Sequence, residues 1–523
     1  MSTFGSILVF NLLSQFLSRI FSFLTNIYFI KTVDPELLGL INVRLTLLYA
    51  TITFLCREPF RKTLLSVNKP VKELINLMWL SLPLSIVLGS ALSIVWFKVL
   101  SPPPLQFQSN YGAMIICFAF SAIIKSLVEP IAITAFKFGD NQQFSIALGL
   151  LVFAQKVGAF VLIVTGLCEP LTAFCLAQIL GSVFYLLSYV TFWLNNHNAF
   201  DDKLEVCDIL PNFQLSLGSR DDLLNICSMF GNSIVKQSIT NSTGYIMTFT
   251  NTLSLTDQAI YNIIESLGSL VIRIILTPVE ESAFIFFSTK VIRGGKYQDY
   301  KCHVINEITT TFTALTKATI TIAFISAIFA PAYSTIIVHL YGGNLLSQNN
   351  GALLLTCYAV YLSVTALNGI TECLSMASMN KNEIFKHSQY LIGVAIVQVI
   401  MSIILSQQFG SSGFIVSNII NMSLRVIYSL KHIKHLFKES IPSIFHFIPS
   451  LVSGVALIVA FIVTEGSFLT LTKESAISLE SNLLHIVTGG LLFILVSALI
   501  LHKDFPELNI TSKIAQAIKR KWD

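Results

Sequence analysis

About fourteen apolar segments, each long enough to cross a bilayer, take up most of this chain. A hydrocarbon core of ~30 Å needs about 20 apolar residues per crossing helix. Inside that core every backbone N–H and C=O must be satisfied within the protein, and segments of this length can do so only as helices. The spans fall near 5–31, 37–58, 74–97, 110–136, 141–165, 170–194, 226–250, 258–289, 313–339, 351–380, 388–407, 413–436, 443–464 and 481–502. Charged residues make up 12% of the chain, about half the share of a soluble domain. The fold class that follows is an all-α polytopic membrane protein. The first span holds Asn11, Gln15, Arg19 and Asn26 with no positive stretch before it, so it reads as a retained helix rather than a leader.

Cations lie inside these spans. Arg19, Arg44, Lys125, Lys156, Lys236, Arg273, Lys317 and Arg425 all fall among apolar residues. Each would cost roughly 2.5–3.5 kcal/mol at the bilayer centre on insertion scales. Three acids lie comparably deep, Glu129, Glu265 and Glu372, too few to neutralise every cation. A water-filled, electropositive cavity resolves the imbalance and suits an anionic cargo such as a phosphate or pyrophosphate head group.

Loop charges set the topology. With loops assigned alternately, the side that holds the N-terminus collects about 22 Lys and Arg and the other side about three, Lys31, Lys98 and Lys473. Both termini are therefore expected in the cytosol.

The chain also repeats. Glu129-Pro130-Ile131-Ala132-Ile133-Thr134-Ala135-Phe136 resembles Glu372-Cys373-Leu374-Ser375-Met376-Ala377-Ser378-Met379 at an offset of about 243 residues. The same offset matches Gln155 to Gln398 and Tyr185 to Tyr428, and a weaker match sets Glu58-Pro59 beside Thr277-Pro278. Two pseudo-symmetric six-helix lobes around a central cavity, plus two C-terminal helices, are expected. The expected limits are 1–195 for the first lobe, 196–224 for a polar cytosolic linker, 225–438 for the second lobe, and 439–523 for the last two helices and tail.

Polar stripes mark particular helices. Asn11, Gln15, Ser18, Arg19, Ser22 and Asn26 share one face of the first span. Asn232, Lys236, Thr240 and Thr243 do so on the seventh, and Asn262, Ser266, Ser269 and Arg273 on the eighth. Such residues line a pathway or act as hydrogen-bonding glue between helices. Arg57, Glu58 and Arg61 close the second span, and Glu280 and Glu281 sit at the matching end of the eighth. They read either as a cytosolic gate latched by ion pairs or as side chains that reach to the interface.

No GxxxxGK[ST], HExxH, GxSxG or paired DxxD motif occurs, so neither a nucleotide site nor a catalytic metal is implied. The nine cysteines include no CxxC pair and read as packing residues. No cofactor, no metal and no nucleic acid partner enters the reading.

Several segments match a known family in its order. They are Ile41-Asn42-Val43-Arg44-Leu45-Thr46-Leu47-Leu48-Tyr49 running into Arg57-Glu58-Pro59-Phe60-Arg61-Lys62, then Leu267-Gly268-Ser269-Leu270-Val271 with Pro278-Val279-Glu280-Glu281-Ser282. Tyr341-Gly342-Gly343, Asn368-Gly369-Ile370-Thr371-Glu372-Cys373 and Asn421-Met422-Ser423-Leu424-Arg425 follow. Together they resemble the eukaryotic Rft family, a branch of the multidrug/oligosaccharidyl-lipid/polysaccharide superfamily that includes the bacterial lipid II flippase. The resemblance implies a multi-pass endoplasmic reticulum protein needed for N-glycosylation. It implies a role in moving a dolichol-pyrophosphate oligosaccharide, five mannoses on two N-acetylglucosamines, from the cytosolic to the luminal leaflet. The chain departs from the family at Thr240-Asn241-Ser242-Thr243-Gly244-Tyr245, where an acidic residue is often found. The ending Lys519-Arg520-Lys521-Trp522-Asp523 reads as a dilysine retrieval signal or as a basic tail drawn to anionic lipid.

The expected function is that of a non-enzymatic intramembrane glycolipid transporter, with Arg19, Arg44, Lys236, Arg273 and Arg425 as the pyrophosphate-binding cations. Glu129 and Glu372 are the repeat-equivalent polar positions. The expected partners are the glycolipid and the bilayer, and the sequence points to no particular protein partner. The alternatives are an accessory or scaffold protein of the same pathway, a small-molecule antiporter of the superfamily, and a membrane glycosyltransferase.

Overall fold

The computed structural model describes residues 23–66, 69–100, 103–138, 141–196, 204–212, 220–250, 252–295, 297–437, 447–471 and 479–505. The described residues form helices and connecting loops, with no strand among them. In chain order the helices are α1 (23–32), α2 (Pro35–Leu65), α3 (Val71–Lys98), α4 (Tyr111–Ser126), α5 (Glu129–Lys137), α6 (Asn141–Val164), α7 (Pro170–Asn196), α8 (Arg220–Thr240) and α9 (Ser242–Phe249). They continue as α10 (Leu255–Lys290), α11 (Cys302–Gln348), α12 (Gly351–Ser378), α13 (Lys381–Phe409), α14 (Ser411–Phe437), α15 (Leu451–Leu471) and α16 (Leu479–Asp504).

Among the described residues, 11 helices are long and apolar enough to cross a membrane, and 12 if α4 and α5, bent by 42°, form one span. Two expected spans stand outside that number. The first is described only from residue 23 onward. The seventh corresponds to α8 and α9, which are helical but more polar, and which break at Asn241.

Local chemistry sets several boundaries. Asp34 caps α2 by accepting the Glu36 N–H at 2.9 Å, with Pro35 in the first turn. Asn380 and Glu383 form a reciprocal capping box at the start of α13, each bond 2.9 Å. Gly342-Gly343 lies inside the 47-residue α11. Gly343 takes φ 58° and kinks the helix there, a conformation open to glycine at little cost. The helix also starts earlier than the apolar span suggested, because residues 302–312 extend it with a polar, Thr-rich stretch.

The chain divides into two compact units, Met1–Ala259 and Ile260–Asp523. In the first, Tyr185, Tyr189, Phe192 and Trp193 of α7 pack with Leu74, Leu77 and Met78 of α3 and Ile131 and Ile133 of α5. In the second, Phe287 of α10, Phe312 of α11, Phe437 of α14 and Phe447 form the aromatic centre. A smaller cluster joins Leu457 and Ala460 of α15 to Val496 and Ile500 of α16, against Ile325, Ile328 and Phe329 of α11. Large apolar side chains also point outward in rows, as Leu451, Val455, Ile458 and Ile462 do along α15. A water-soluble helix would bury such a stripe; here it faces lipid.

Candidate functional site

In the first unit the charges gather around Glu129, in the opening turn of α5. Arg61 on α2 reaches it through a fork: Nε donates to Oε2 at 2.7 Å and Nη2 to Oε1 at 3.0 Å. The pair is dry, with the side chains of Arg61 and Glu129 11% and 3% exposed. Phe136 and Phe144 face the guanidinium, with ring centres at 4.6 and 5.7 Å. Lys125, buried on α4, lies 5.4 Å from the ring of Tyr49 and 5.2 Å from that of Tyr185. Arg57 stands within electrostatic reach of Lys125, and its buried Nε has no hydrogen-bond partner among the described residues. Arg61 and Lys125 thus both act on this one carboxylate, and Arg57 lies on the side of Lys125.

The neighbouring Glu58 takes a different role. It accepts from Lys236 of α8 at 3.0 Å and from Lys62 at 3.2 Å, and the Lys236 ammonium lies 5.5 Å from the Phe54 ring. Arg44 is buried beside Tyr111, in a π-helical turn over Leu40–Leu45, and its carbonyl accepts the Trp96 indole N–H at 3.0 Å. Arg19 lies outside the described residues, as do Lys519 and Lys521 of the tail.

In the second unit Arg425 on α14 donates from Nη2 to both oxygens of Glu372, at 2.9 and 2.7 Å. Asn368, one turn earlier on α12, donates to Glu372 Oε2 at 2.9 Å. This pair is wetter than its counterpart, with side chains 26% and 24% exposed. The Glu280 carboxylate of α10 rests against Gly369, where a Cβ would overlap it. The Cys373 thiol donates to the Glu280 carbonyl at 3.4 Å. Glu281 is exposed. Arg273, also exposed, donates to the Ser266 carbonyl at 3.2 Å and to the Ser269 hydroxyl of its own helix.

Of the remaining deep cations, Lys317 pairs with Asp504 at 2.6 Å and Lys156 donates to Asn26 at 2.8 Å. Glu58 and Asp504, which the sequence places at span ends, thus neutralise cations beyond the reach of the three deep acids. Intramembrane carboxylates had flagged Glu129 and Glu372 as sites, but no local spacing indicated Arg61 or Arg425 as their partners. The offset of about 243 residues reappears in neutral contacts. Gln155 donates to Gln178 at 2.9 Å in the first unit, and Asn421 donates to Gln398 at 2.5 Å in the second. The position matching Arg425 is Ser182, which bonds Ser121 at 2.6 Å.

Comparison with known proteins gives this arrangement its context. The chain is 35% identical over 512 residues to the Caenorhabditis elegans Man(5)GlcNAc(2)-PP-dolichol translocation protein RFT1, covering 95% of this chain and 96% of that one. It is 32% identical over 531 residues to the Xenopus tropicalis protein of the same name, covering 98% and 97%. Among solved structures, the lipid II flippase MurJ in an inward closed conformation matches with a TM-score of 0.65 and 13% identity, over 94% of this chain and 99% of that one. An inward-facing multidrug resistance MATE family transporter of the MOP superfamily matches with a TM-score of 0.58 and 17% identity, over 81% and 96%. These two show a shared fold. The family model described as Rft protein matches residues 5–513; with relatives of this similarity along the whole length, the chain belongs to the Rft family.

Proposed function

We propose that this chain moves Man5GlcNAc2-PP-dolichol from the cytosolic to the luminal leaflet of the endoplasmic reticulum membrane, in support of N-linked glycosylation. The observation that carries the proposal is end-to-end similarity to relatives named for translocating that glycolipid. The MurJ-like helical fold is compatible with it. The reaction is a transfer between leaflets, so no bond of the glycolipid is broken and the chain acts as a transporter rather than an enzyme.

The topology that goes with this reading has fourteen crossings. The twelve apolar spans, with the first span and the polar α8–α9 segment added, give that number. Two six-helix copies at 1–195 and 225–438, a cytosolic linker at 196–224 and two further helices complete it. The paired amides at one offset support the copies, and the lopsided Lys/Arg count supports cytosolic termini.

Arg19, Arg44, Lys236, Arg273 and Arg425 are the cations for the pyrophosphate. Lys236 and Arg273 carry their charge on exposed side chains. Lys236 can turn to an anion at little cost, since Glu58 keeps Lys62 when Lys236 leaves. Arg425 must exchange Glu372 for the phosphate, and Arg44 must leave a buried position. Arg57, Glu58, Arg61, Glu280 and Glu281 are the residues of the cytosolic gate.

The test is two-armed. The chain is expressed in cells depleted of their own family member, and glycoprotein occupancy and the five-mannose lipid precursor are measured. Purified protein is then placed in vesicles with labelled glycolipid, and leaflet exchange is scored. Restored glycosylation with protein-dependent exchange is the expected result. Restored glycosylation without exchange would replace transport by an accessory role.

A further inference from the structure

The loop that joins α10 to α11 in the second unit folds back on the ends of α12 and α14. Gly294 donates its N–H to the carbonyl of Ser378, the last residue of α12, at 2.8 Å. Its φ of 69° suits glycine, and a Cβ there would lie 3.0 Å from that of Asn380. Tyr300 closes the loop from inside. Its hydroxyl accepts the Ile292 N–H and donates to the Ile292 carbonyl, each at 3.1 Å, and its ring lies 6.0 Å from that of Phe437. His432 of α14 meets the Ser378 hydroxyl at 3.0 Å. The segments 294–298, 378–383 and 432–436, held together in this way, border a cavity of about 750 Å³. Small-molecule sites occupy about 300–1,000 Å³.

The walls are polar and basic. Lys434, His435 and Gln298 line the cavity with exposed side chains. Among the described residues neither Lys434 nor Arg293, which directly precedes Gly294, has an ion-pair partner. The stretches 290–301, 378–388 and 428–438 carry nine Lys and Arg against two acids, Asp299 and Glu383. Of these cations Lys290 is taken by Glu307 at 2.8 Å. A basic pocket at the ends of membrane helices is suited to a phosphorylated headgroup. Glu383 narrows the choice. It lines the cavity, with its Oε2 accepting the Asn380 N–H at 2.9 Å. A carboxylate repels phosphate but accepts hydrogen bonds from hydroxyls, and the Gln298 amide both donates and accepts.

We propose that this cavity binds a phosphorylated, polyhydroxylated ring of the inositol phosphate class, carried by a membrane lipid or free in solution. Lys434, His435 and Arg293 meet the phosphate, and Glu383 and Gln298 take the ring hydroxyls. Ile292 on the loop and Phe385 on α13 are exposed, so a lipid held by its headgroup keeps its chains against apolar side chains. The wall is pinned before the ligand arrives, which spares the cost of ordering a loop. The site is separate from the proposed transport function and needs no glycolipid.

The experiment uses purified full-length protein in phosphatidylcholine nanodiscs. One arm adds phosphatidylinositol phosphate to the disc and counts bound lipid by native mass spectrometry. The other titrates soluble inositol bisphosphate by calorimetry. Saturable binding of one molecule per protein is expected. It should be at least about tenfold weaker in Lys434→Gln/His435→Gln, which loses charge-assisted bonds to the phosphate. Gln298→Trp, which fills the cavity and leaves the charge unchanged, should abolish it. Lys31→Gln/Lys98→Gln, which removes two cations from the first unit, should leave it intact. Binding of the lipid alone places the ligand in the membrane, binding of the soluble phosphate alone places it in solution, and competition between them identifies the headgroup as what is read; each supports the site. No saturable binding of either probe, equal binding of phosphatidylserine at matched charge, full binding in Gln298→Trp, or an equal loss in Lys31→Gln/Lys98→Gln would each overturn the proposal. If Gln298→Trp does not fold, the two charge variants decide the question. Because no glycolipid is present, failure here leaves the transport assay to stand or fall separately.

Discussion

Replacing Glu129 by Gln keeps the shape of the side chain and removes its charge. The consequence is larger than the loss of one ion pair. Arg61 keeps an amide oxygen to bond but loses its counter-charge, and Arg57 and Lys125 lie in the same electrostatic neighbourhood. The Arg61–Glu129 pair is nearly dry. Breaking such a pair from one side costs roughly 3–5 kcal/mol, because a buried charge is left uncompensated. The aromatic faces of Phe136 and Phe144 already lie against the guanidinium in the wild-type protein and do not offset this loss. Removing both charges together, as Arg61→Met with Glu129→Gln, takes away the stranded cation and recovers most of the loss. The assay is equilibrium unfolding of purified protein in mixed micelles, read as a double-mutant cycle. The coupling energy from the cycle, the double-variant loss minus the two single-variant losses, should reach at least about 2 kcal/mol in magnitude, a size reached only by directly coupled residues. A single-variant loss below about 0.5 kcal/mol, the range of unremarkable surface changes, would refute the reasoning.

Other outcomes follow from the same geometry. Lys236→Gln and Arg273→Gln should express and fold normally yet leave glycoproteins underglycosylated, as measured by glycan occupancy after complementation; normal occupancy in both would remove them from the head-group site. Gly489→Leu should loosen α16 from α11, since a Cβ at that position overlaps the Tyr333 side chain that bonds the His485 carbonyl at 2.9 Å. Overpacking of this kind costs about 1–3 kcal/mol, visible as a lower unfolding midpoint. Asp208, on the loop after α7, is slightly desolvated. The Lys72 ammonium at 2.9 Å and the Glu205 N–H at 2.7 Å outweigh that and hold its pKa below the ordinary value. A depressed carboxylate pKa stabilises the fold above the unfolded value near 3.9, and the benefit is lost as pH falls through the folded value. Because the Lys72 side chain is 45% exposed, Asp208→Asn should cost less than about 1 kcal/mol at neutral pH. In acid it should cost nothing, by the same unfolding assay.

Much of this architecture is legible in the sequence because lipid is an unforgiving solvent. A run of about 20 apolar residues has one stable form there, so α2, α3, α6, α7 and α10–α16 stand close to their expected places. Polar stretches are harder. Residues 302–312 are too polar to read as part of a span, yet they continue α11, with Ile305, Ile308 and Phe312 buried on one face and bonds such as Thr309 and Thr313 to carbonyls four residues back. The charged sites were half legible. A carboxylate in an apolar span demands a partner, which marked Glu129 and Glu372, but their partners lie 68 and 53 residues away. Glu58 and Lys236 are 178 residues apart. Helix pairing selects such contacts, and no local period records it.

The amide pairs Gln155–Gln178 and Asn421–Gln398 recur at one offset and join α6 to α7 and α13 to α14 in the same way. Neutral bonds of this sort hold helices together at about 0.6 kcal/mol each and ask nothing of the charge around them. The ion pairs do not recur in that fashion. Glu129 takes its arginine from α2, whereas Glu372 takes one from α14, and Ser182 stands at the position that matches Arg425. One scaffold thus carries two electrostatic environments, a sealed and cation-rich one in the first unit and a wetter, carboxylate-rich one in the second. A sealed pair is costly to open and fixes its helices. A wet pair beside a second carboxylate exchanges partners at low cost. The Arg425–Glu372 pair on α14 and α12 is therefore the easier of the two to open, and the Arg61–Glu129 pair on α2 and α5 the harder.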